Sequence, residues 1–326
     1  MPIHIGILGC ARIAKAAVID AAGTQSGLVV AGIASRSAGK AAAYARQHGI
    51  ATSFNSYADL LADPGIDAVY VPLPNSLHAE WTIAALEAGK AVLCEKPMAS
   101  NSAEAARMVQ ASSETGRPLM EAFHYRYHPM MGYILDVLRT GTLGRLQSVR
   151  ASLKIPDGLA AADDIRFQSG LSGGAMMDVG AYCMNALRYL TGQEPGIESA
   201  SAKLVAPDVD GEMKVRLCFP SGTIGEIDCS LVAPGFQARL DIAGEYGRLE
   251  ARNPFLPQLG NAVTLTAHGK TSHLSFDRTP TYTFQARAFA SLVRGEFASL
   301  STPEDGMANM LAIDRTYEAA GLPPRG

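Results

Sequence analysis

The sequence predicts an N-terminal α/β domain with a doubly wound parallel sheet, followed by an α+β domain built mainly on an antiparallel sheet. Three observations predict it. Strand-like and helix-like stretches alternate from Ile3 to Ala122, the rhythm of βα units in a parallel sheet. A glycine-led turn, Gly9-Cys10-Ala11-Arg12-Ile13-Ala14, joins the first strand to the first helix. From Leu146 onward, short strands succeed one another with tight connections, as in an antiparallel sheet.

The composition bounds the possibilities. The chain has 326 residues, 48% hydrophobic and 18% charged, which is ordinary for a globular protein and enough for two domains. Its formal net charge is −3, without a basic run, so neither a nucleic acid nor an anionic membrane is expected as partner. No apolar run has the length of a membrane span, and the start has no secretory pattern. The five cysteines are dispersed and form no CxxC pair, so no metal site or disulfide framework is expected. A cytoplasmic location follows as the expectation.

The first strand, Pro2 to Leu8, is apolar and runs into the turn, which follows G-x-G-x-x-G/A with alanine at the second and third small positions. Gly9 permits the tight bend, Ala11 lets backbone approach a pyrophosphate, and Ala14 lets the helix Ala16 to Ala22 pack on the strand. Arg12 and Ile13 lie at the helix N-terminus, which faces the anion. A second strand, Gly27 to Ala34, completes the context of a dinucleotide-binding, Rossmann-type sheet. That strand ends in Ser35-Arg36, and no acidic residue occurs between Asp20 and Asp59. An NAD enzyme places a carboxylate here for the ribose 2′-hydroxyl. Ser35, Arg36 and Lys40 suit a 2′-phosphate instead, which points to NADP rather than NAD.

A helix over Lys40 to His48, a strand over Thr52 to Phe54, a helix over Tyr57 to Leu61 and a strand over Asp67 to Val71 follow. The turn Pro72-Leu73-Pro74-Asn75 opens a helix reaching Ala88, with Asn75 or Ser76 expected to cap it. The strand Lys90 to Cys94 stops at Glu95-Lys96-Pro97, before the helix Ser102 to Thr115 and the strand Pro118 to Ala122. Ligands collect beyond the carboxyl ends of such strands. The Gly9 turn, Arg36, Pro72 to His78 and Glu95 to Pro97 therefore share one edge. A boundary at Ala122 gives domains 1–122 and 123–326.

Beyond it, Phe123 to Pro129 is dense in aromatic and polar groups, and Pro129 suits the first turn of a helix over Met130 to Thr140. Strands are expected over 146–155, 197–205, 212–219, 223–231, 237–243, 247–251, 263–267 and 273–276, and helices over 284–294 and 303–320. Gly173-Gly174 gives a flexible lead into a helix on which Asp178 and Tyr182, four apart, share a face. Taken alone, that pair fits a solvated charge and a rim tyrosine as well as a reactive couple.

Together these motifs resemble the glucose–fructose oxidoreductase / inositol dehydrogenase / MocA family, nearest the branch of dihydrodiol dehydrogenases and NADP-dependent D-xylose dehydrogenases. The carriers are the Gly9 turn, Pro72 to His78, Glu95-Lys96-Pro97, Glu121-Ala122-Phe123 with Tyr125 to Pro129, and Gly173 through Asp178 to Tyr182. The resemblance spans nearly the whole chain. It implies an open, mainly antiparallel C-terminal sheet that also makes the contacts of a homo-oligomer, a dimer or tetramer. It implies that Lys96 is the catalytic lysine, preceding a cis bond to Pro97, that Tyr182 is the acid/base group, and that Asp178 orients substrate. Pro72, Leu73, Asn75, His78, Glu95, Lys96 and Arg126 are implied at the cofactor. Tyr125, Asp163 and Arg166 are implied at the substrate, with Lys96, Asp178 and Tyr182. His124 departs from close relatives, which usually carry an apolar residue there.

The implied activity is hydride transfer between NADP and a small polyhydroxy molecule, with an aldose oxidised at C1 as first choice and a trans-dihydrodiol as second. From another class, a non-catalytic NADP-binding regulator would keep the fold; the joint presence of Lys96, Asp178 and Tyr182 argues for an enzyme. A free tyrosine has a pKa near ~10, and an adjacent ammonium favours its anion. Lys96 beside Tyr182 would suit the pair to exchange a proton with a substrate hydroxyl.

Overall fold

Alternating strand and helix build a parallel sheet in the first part of the chain. The structure, a computed structural model, describes residues 2–22, 27–159, 161 and 163–326. β1 (Ile3–Leu8) leads to a π-helical turn (Lys15–Ile19) and α1 (Asp20–Ala22). Then come β2 (Leu28–Ala34), α2 (Ala38–His48), β3 (Thr52–Phe54), α3 (Tyr57–Ala62), β4 (Ala68–Val71), α4 (His78–Glu87), β5 (Ala91–Cys94), α5 (Ser102–Thr115) and β6 (Leu119–Glu121). The order is β3-β2-β1-β4-β5-β6, with every pair parallel. It reverses between β1 and β4, the switch point where open α/β sheets take ligands. β4 and β5 are buried throughout, which is why they read as unbroken apolar runs rather than as alternation.

Side chains cap most helices of this sheet. Ser37, Ser56 and Asn101 accept from the amides of Lys40, Asp59 and Glu104 at 3.4, 3.0 and 2.9 Å. α4 differs from the expectation. It is entered through a 3₁₀ turn, Asn75–Leu77, and its N-cap residue is Leu77, whose side chain makes no capping bond. The Leu77 amide bonds the Pro74 carbonyl at 2.8 Å, so the turn itself satisfies a donor that a cap would have taken.

The second part comprises α6 (Pro129–Arg139), β7 (Leu146–Pro156), a π-helical turn (Met176–Gly180), α7 (Ala181–Thr191), β8 (Gly196–Ala206), β9 (Val209–Cys218), β10 (Ile224–Ala233), β11 (Gln237–Gly244), β12 (Gly247–Arg252), β13 (Ala262–Ala267) and β14 (Lys270–Leu274). The sheet order is β14-β13-β12-β11-β7-β10-β9-β8. All pairs are antiparallel except β7 with β10, which is parallel. A parallel pair needs a long crossover, and α7 with the β8–β9 hairpin supplies it. Val149, Leu153, Val215, Ile227 and Leu240 are buried on one face. The other carries ion pairs such as Arg150–Glu226 at 2.8 Å and Arg216–Glu198 at 2.7 Å.

α8 (Thr281–Val293) and α9 (Pro303–Ala319) complete the described elements. Two compact units result: Met1–Tyr127 with Thr281–Met307, and His128–Pro280 with Ala308–Gly326. The first unit therefore extends past Ala122 and takes in a returning segment. Ala286, Phe289 and Ala290 of α8 join Ile5, Ile7, Val18, Tyr70 and Leu93 in its core. Among the described residues no helix is long and apolar enough to cross a membrane.

Candidate active site

The expected site residues fall into two groups, one on each unit. In the first, the chain turns at Gly9 with φ +99°, where a Cβ would lie 2.9 Å from Leu73 Cδ2. The conformation favours glycine there, and a Cβ would also have to displace the tip of Leu73. The Tyr44 hydroxyl donates to the Ala11 carbonyl at 3.1 Å, tying the turn to α2. Arg12 and Ile13 are exposed where the helical stretch begins. Cys10 lies against Ser35 and Lys40: burial pushes its thiol up, and the Ser35 hydroxyl and Lys40 ammonium oppose this. Burial likewise pushes the Tyr57 phenol up against the charge of Arg36. The Gly9 turn and the end of β2 thus form one edge, with Arg36 and Lys40 exposed on it. These residues fit a phosphorylated dinucleotide. The turn and helix N-terminus suit a pyrophosphate, and two cations beside Ser35 suit a 2′-phosphate.

Further along the same sheet edge, Glu95 follows β5. Its Oε1 accepts from the Tyr70 hydroxyl at 2.5 Å, and its Oε2 from the Lys96 amide at 3.3 Å. Tyr70 is fully buried on β4, so a neighbouring strand holds the carboxylate. The Lys96–Pro97 bond is cis, as the resemblance implies. Pro72 and Leu73 are buried, and Asn75 is half-buried. The ring nitrogens of His78 lie 2.9 Å from the Pro97 carbonyl and 2.8 Å from that of Leu73. His78 therefore joins the loop after β4 to the loop after β5. Burial, and then the Lys96 charge, push His124 down to about 3. His78 is also lowered, first by burial. The two carbonyl contacts of His78 oppose that lowering.

Tyr125 and Arg126 are buried. Arg126 Nη1 lies 2.6 Å from an Asp305 oxygen and donates to the Leu300 carbonyl, and the guanidinium is 5.9 Å from the Phe123 ring centroid. The structure thus engages Arg126 within its own unit.

On the second unit, every residue from Ser172 to Arg188 is buried except Asp178 and Tyr182. The π turn Met176–Gly180 carries Asp178, and α7 carries Tyr182; such turns recur at functional sites. Arg166 Nε lies 2.6 Å from Asp178 Oδ2, and Nη1 lies 3.0 Å from Asp164 Oδ1. Asp178 foremost, with Asp164, pushes the guanidinium above its ordinary value. The Asp163 carbonyl accepts from Gln168 Nε2 at 2.7 Å. A Cβ on Gly173 would lie 2.5 Å from the Arg166 carbonyl oxygen, and the Gly174 amide bonds that oxygen at 2.9 Å. Gly173 thus serves close approach of two backbones, where the sequence indicated a flexible lead. The Tyr182 ring centroid is 5.7 Å from that of Phe255.

Two supporting residues had no signal in the sequence. Tyr70 reads as one apolar residue of a buried strand, yet it holds Glu95. Asp210 lies just before the expected strand 212–219, yet it accepts from the Met176 amide at 2.7 Å. Among the described residues, no group of His, Cys, Asp and Glu could hold a metal ion.

Residues 3–123 match the oxidoreductase family with an NAD-binding Rossmann fold, and residues 133–250 match the GFO/IDH/MocA C-terminal domain. The chain is 37% identical to D-xylose 1-dehydrogenase (NADP(+)) 2 of Haloferax volcanii over 97% of this chain and 96% of that one. Its fold is similar to a 3-ketoreductase from Actinomadura kijaniata in complex with NADP and TDP-benzene, at TM-score 0.90 and 28% identity, with 98% of both chains covered. It is equally similar to aldose-aldose oxidoreductase from Caulobacter crescentus complexed with glycerol, at TM-score 0.90 and 26% identity, again over 98% of both. A relative this similar along nearly all of both chains, with both halves matched in order, settles the relationship: the protein belongs to the GFO/IDH/MocA family of oxidoreductases.

Proposed function

We propose that the protein is an NADP-dependent oxidoreductase that transfers a hydride between nicotinamide and a sugar or another vicinal hydroxy compound, with an aldose oxidised at C1 as its substrate. One observation carries this: in the stretch from Ser172 to Arg188, which is otherwise buried, only Asp178 and Tyr182 are accessible. A relative that acts on D-xylose with NADP(+) and a similar structure holding NADP support it.

When bound, NADP supplies the hydride acceptor for oxidation and the donor for reduction. Tyr182 takes the hydroxyl proton in oxidation and returns it in reduction. Lys96 serves as the catalytic lysine, an ammonium being the kind of charge that favours phenolate over phenol. Asp178, held by Arg166 at 2.6 Å, accepts from a neighbouring substrate hydroxyl and so orients the polyol. Arg36 and Lys40, with Ser35, hold the 2′-phosphate. Domain 1–122 serves the cofactor, and domain 123–326 serves the substrate and self-association into a dimer or tetramer through the open sheet. The place of action is the cytoplasm, consistent with five free cysteines.

The test follows NADPH absorbance over a panel of aldoses, dihydrodiols and 2-keto compounds. Turnover with an aldose, and a higher kcat/KM for NADP than for NAD, are expected. Tyr182→Phe should lower kcat by about 10²–10⁴-fold, with NADP affinity near that of the wild type. Binding of NADP with no turnover anywhere on the panel would make the protein a sensor and overturn the enzymatic assignment.

A further inference from the structure

Asp210, near the start of β9, has no solvent exposure. Its Oδ2 accepts from the Met176 amide at 2.7 Å. Its Oδ1 accepts from the Tyr317 hydroxyl at 2.8 Å and from Arg325 Nη2 at 2.9 Å. Arg325 is itself 4% exposed, and its guanidinium carbon lies 4.1 Å from the Tyr317 ring centroid. Gly174 leaves the space: a Cβ there would lie 2.1 Å from Asp210 Oδ1.

Met176 opens the π turn that carries Asp178, and α7 with Tyr182 continues from it. A carboxylate from a distant strand therefore caps the helix that presents Asp178 and Tyr182. An anion at a helix N-terminus is favourable. Burying it carries a desolvation penalty, offset here by an amide, a hydroxyl and a guanidinium. Apolar packing would hold the helix in place without that penalty. What the polar arrangement adds is direction, because hydrogen bonds fix where the first turn begins and how it is rotated.

We propose that Asp210, Tyr317 and Arg325 are positioning residues for this pair, on the assignment of Tyr182 as the acid/base group. Arg325 and Tyr317 lock the Asp210 carboxylate, Asp210 anchors the Met176 amide, and the anchored turn aims Asp178 and Tyr182.

The test uses Arg325→Met, Arg325→Lys and Tyr317→Phe in the full chain, assayed with the best aldose of the panel. Arg325→Met should lower kcat by about 10–100-fold, leave KM for NADP within about twofold, and speed hydrogen exchange over 174–182. Arg325→Lys, which returns the charge, should recover most of kcat. Wild-type kcat and exchange in Arg325→Met would overturn the proposal. So would a fall in kcat matched by equal losses of NADP binding and of global stability, which would mark a merely structural role. Should Arg325→Met not fold, Tyr317→Phe decides, since it removes one oxygen: slower turnover and faster exchange over 174–182 are expected, and wild-type values for both overturn the anchor. If the wild type binds NADP but turns nothing over, the acid/base assignment fails, while the exchange data still judge the anchor.

Discussion

His124 is 1% exposed, and its ring centroid lies 4.2 Å from that of Tyr282. Burial and the Lys96 charge push it down to about 3, whereas an unfolded chain titrates its histidine near about 6.5. The sign follows. Above that upper value both states are neutral, and this residue adds no pH dependence. Below it the unfolded state takes up a proton that the native state refuses, so stability falls as pH drops towards the folded value. The slope reaches about 1.4 kcal/mol per pH unit. Between pH 7.5 and pH 5 the wild type should therefore lose about 2 kcal/mol more than His124→Phe, measured as urea unfolding free energies. Equal losses would show that His124 is not held neutral. At this scale the sequence was legible where a motif fixes the local backbone, as at Gly9 with its positive φ and at the cis Lys96–Pro97 bond. It was mute on Tyr70 and Asp210, whose roles come from long-range pairing that no local pattern records.

Among elements, the stretch from Gly173 to α7 shows what periodicity can and cannot deliver. Four-residue spacing puts Asp178 and Tyr182 on one face, and both are partly exposed in a stretch that is otherwise buried. It does not reveal the π turn at Met176–Gly180, because a shift of hydrogen-bond partner leaves composition unchanged. Nor does it separate the uses of two adjacent glycines. Gly173 has backbone atoms of Ile165 and Arg166 within 2.8 Å of where a Cβ would stand, and backbone cannot swing aside as a side-chain tip can. Gly173→Ala should cost about 1–3 kcal/mol of stability and push Arg166 away from Asp178. Thermal unfolding should show the loss. Steady-state kinetics should show kcat lowered by more than about tenfold, with KM for NADP little changed. A variant that matches the wild type in both would mean that the 165–166 loop yields freely. β11 was legible to within one residue because it alternates buried and exposed positions as half-buried strands do. β9 instead starts three residues before the expected 212, with three buried positions in a row, and β14 spans Lys270–Leu274 rather than 273–276. The parallel pairing of β7 with β10 was not legible, because strand order is a property of the whole sheet.

For the molecule as a whole, the informative feature is the return of Thr281–Met307 to the first unit. Local pattern shows a helix there but does not say which core it closes. Ala286, Phe289 and Ala290 are buried against residues of the parallel-sheet unit, and a phenylalanine alone contributes about 2–3 kcal/mol on burial. A fragment of residues 2–127 should therefore bind an apolar dye and unfold with a shallow urea transition. The same fragment with 281–307 attached by a flexible linker should unfold cooperatively at higher urea. Identical transitions for the two would show that α8 is dispensable to that core. The discontinuity also has a consequence in time. A ribosome adding about 5–20 residues per second needs on the order of 10–30 s to travel from Tyr127 to Thr281. Throughout that interval the nascent first unit shows a bare apolar flank, so the length of the intervening chain sets how long chaperones must guard it.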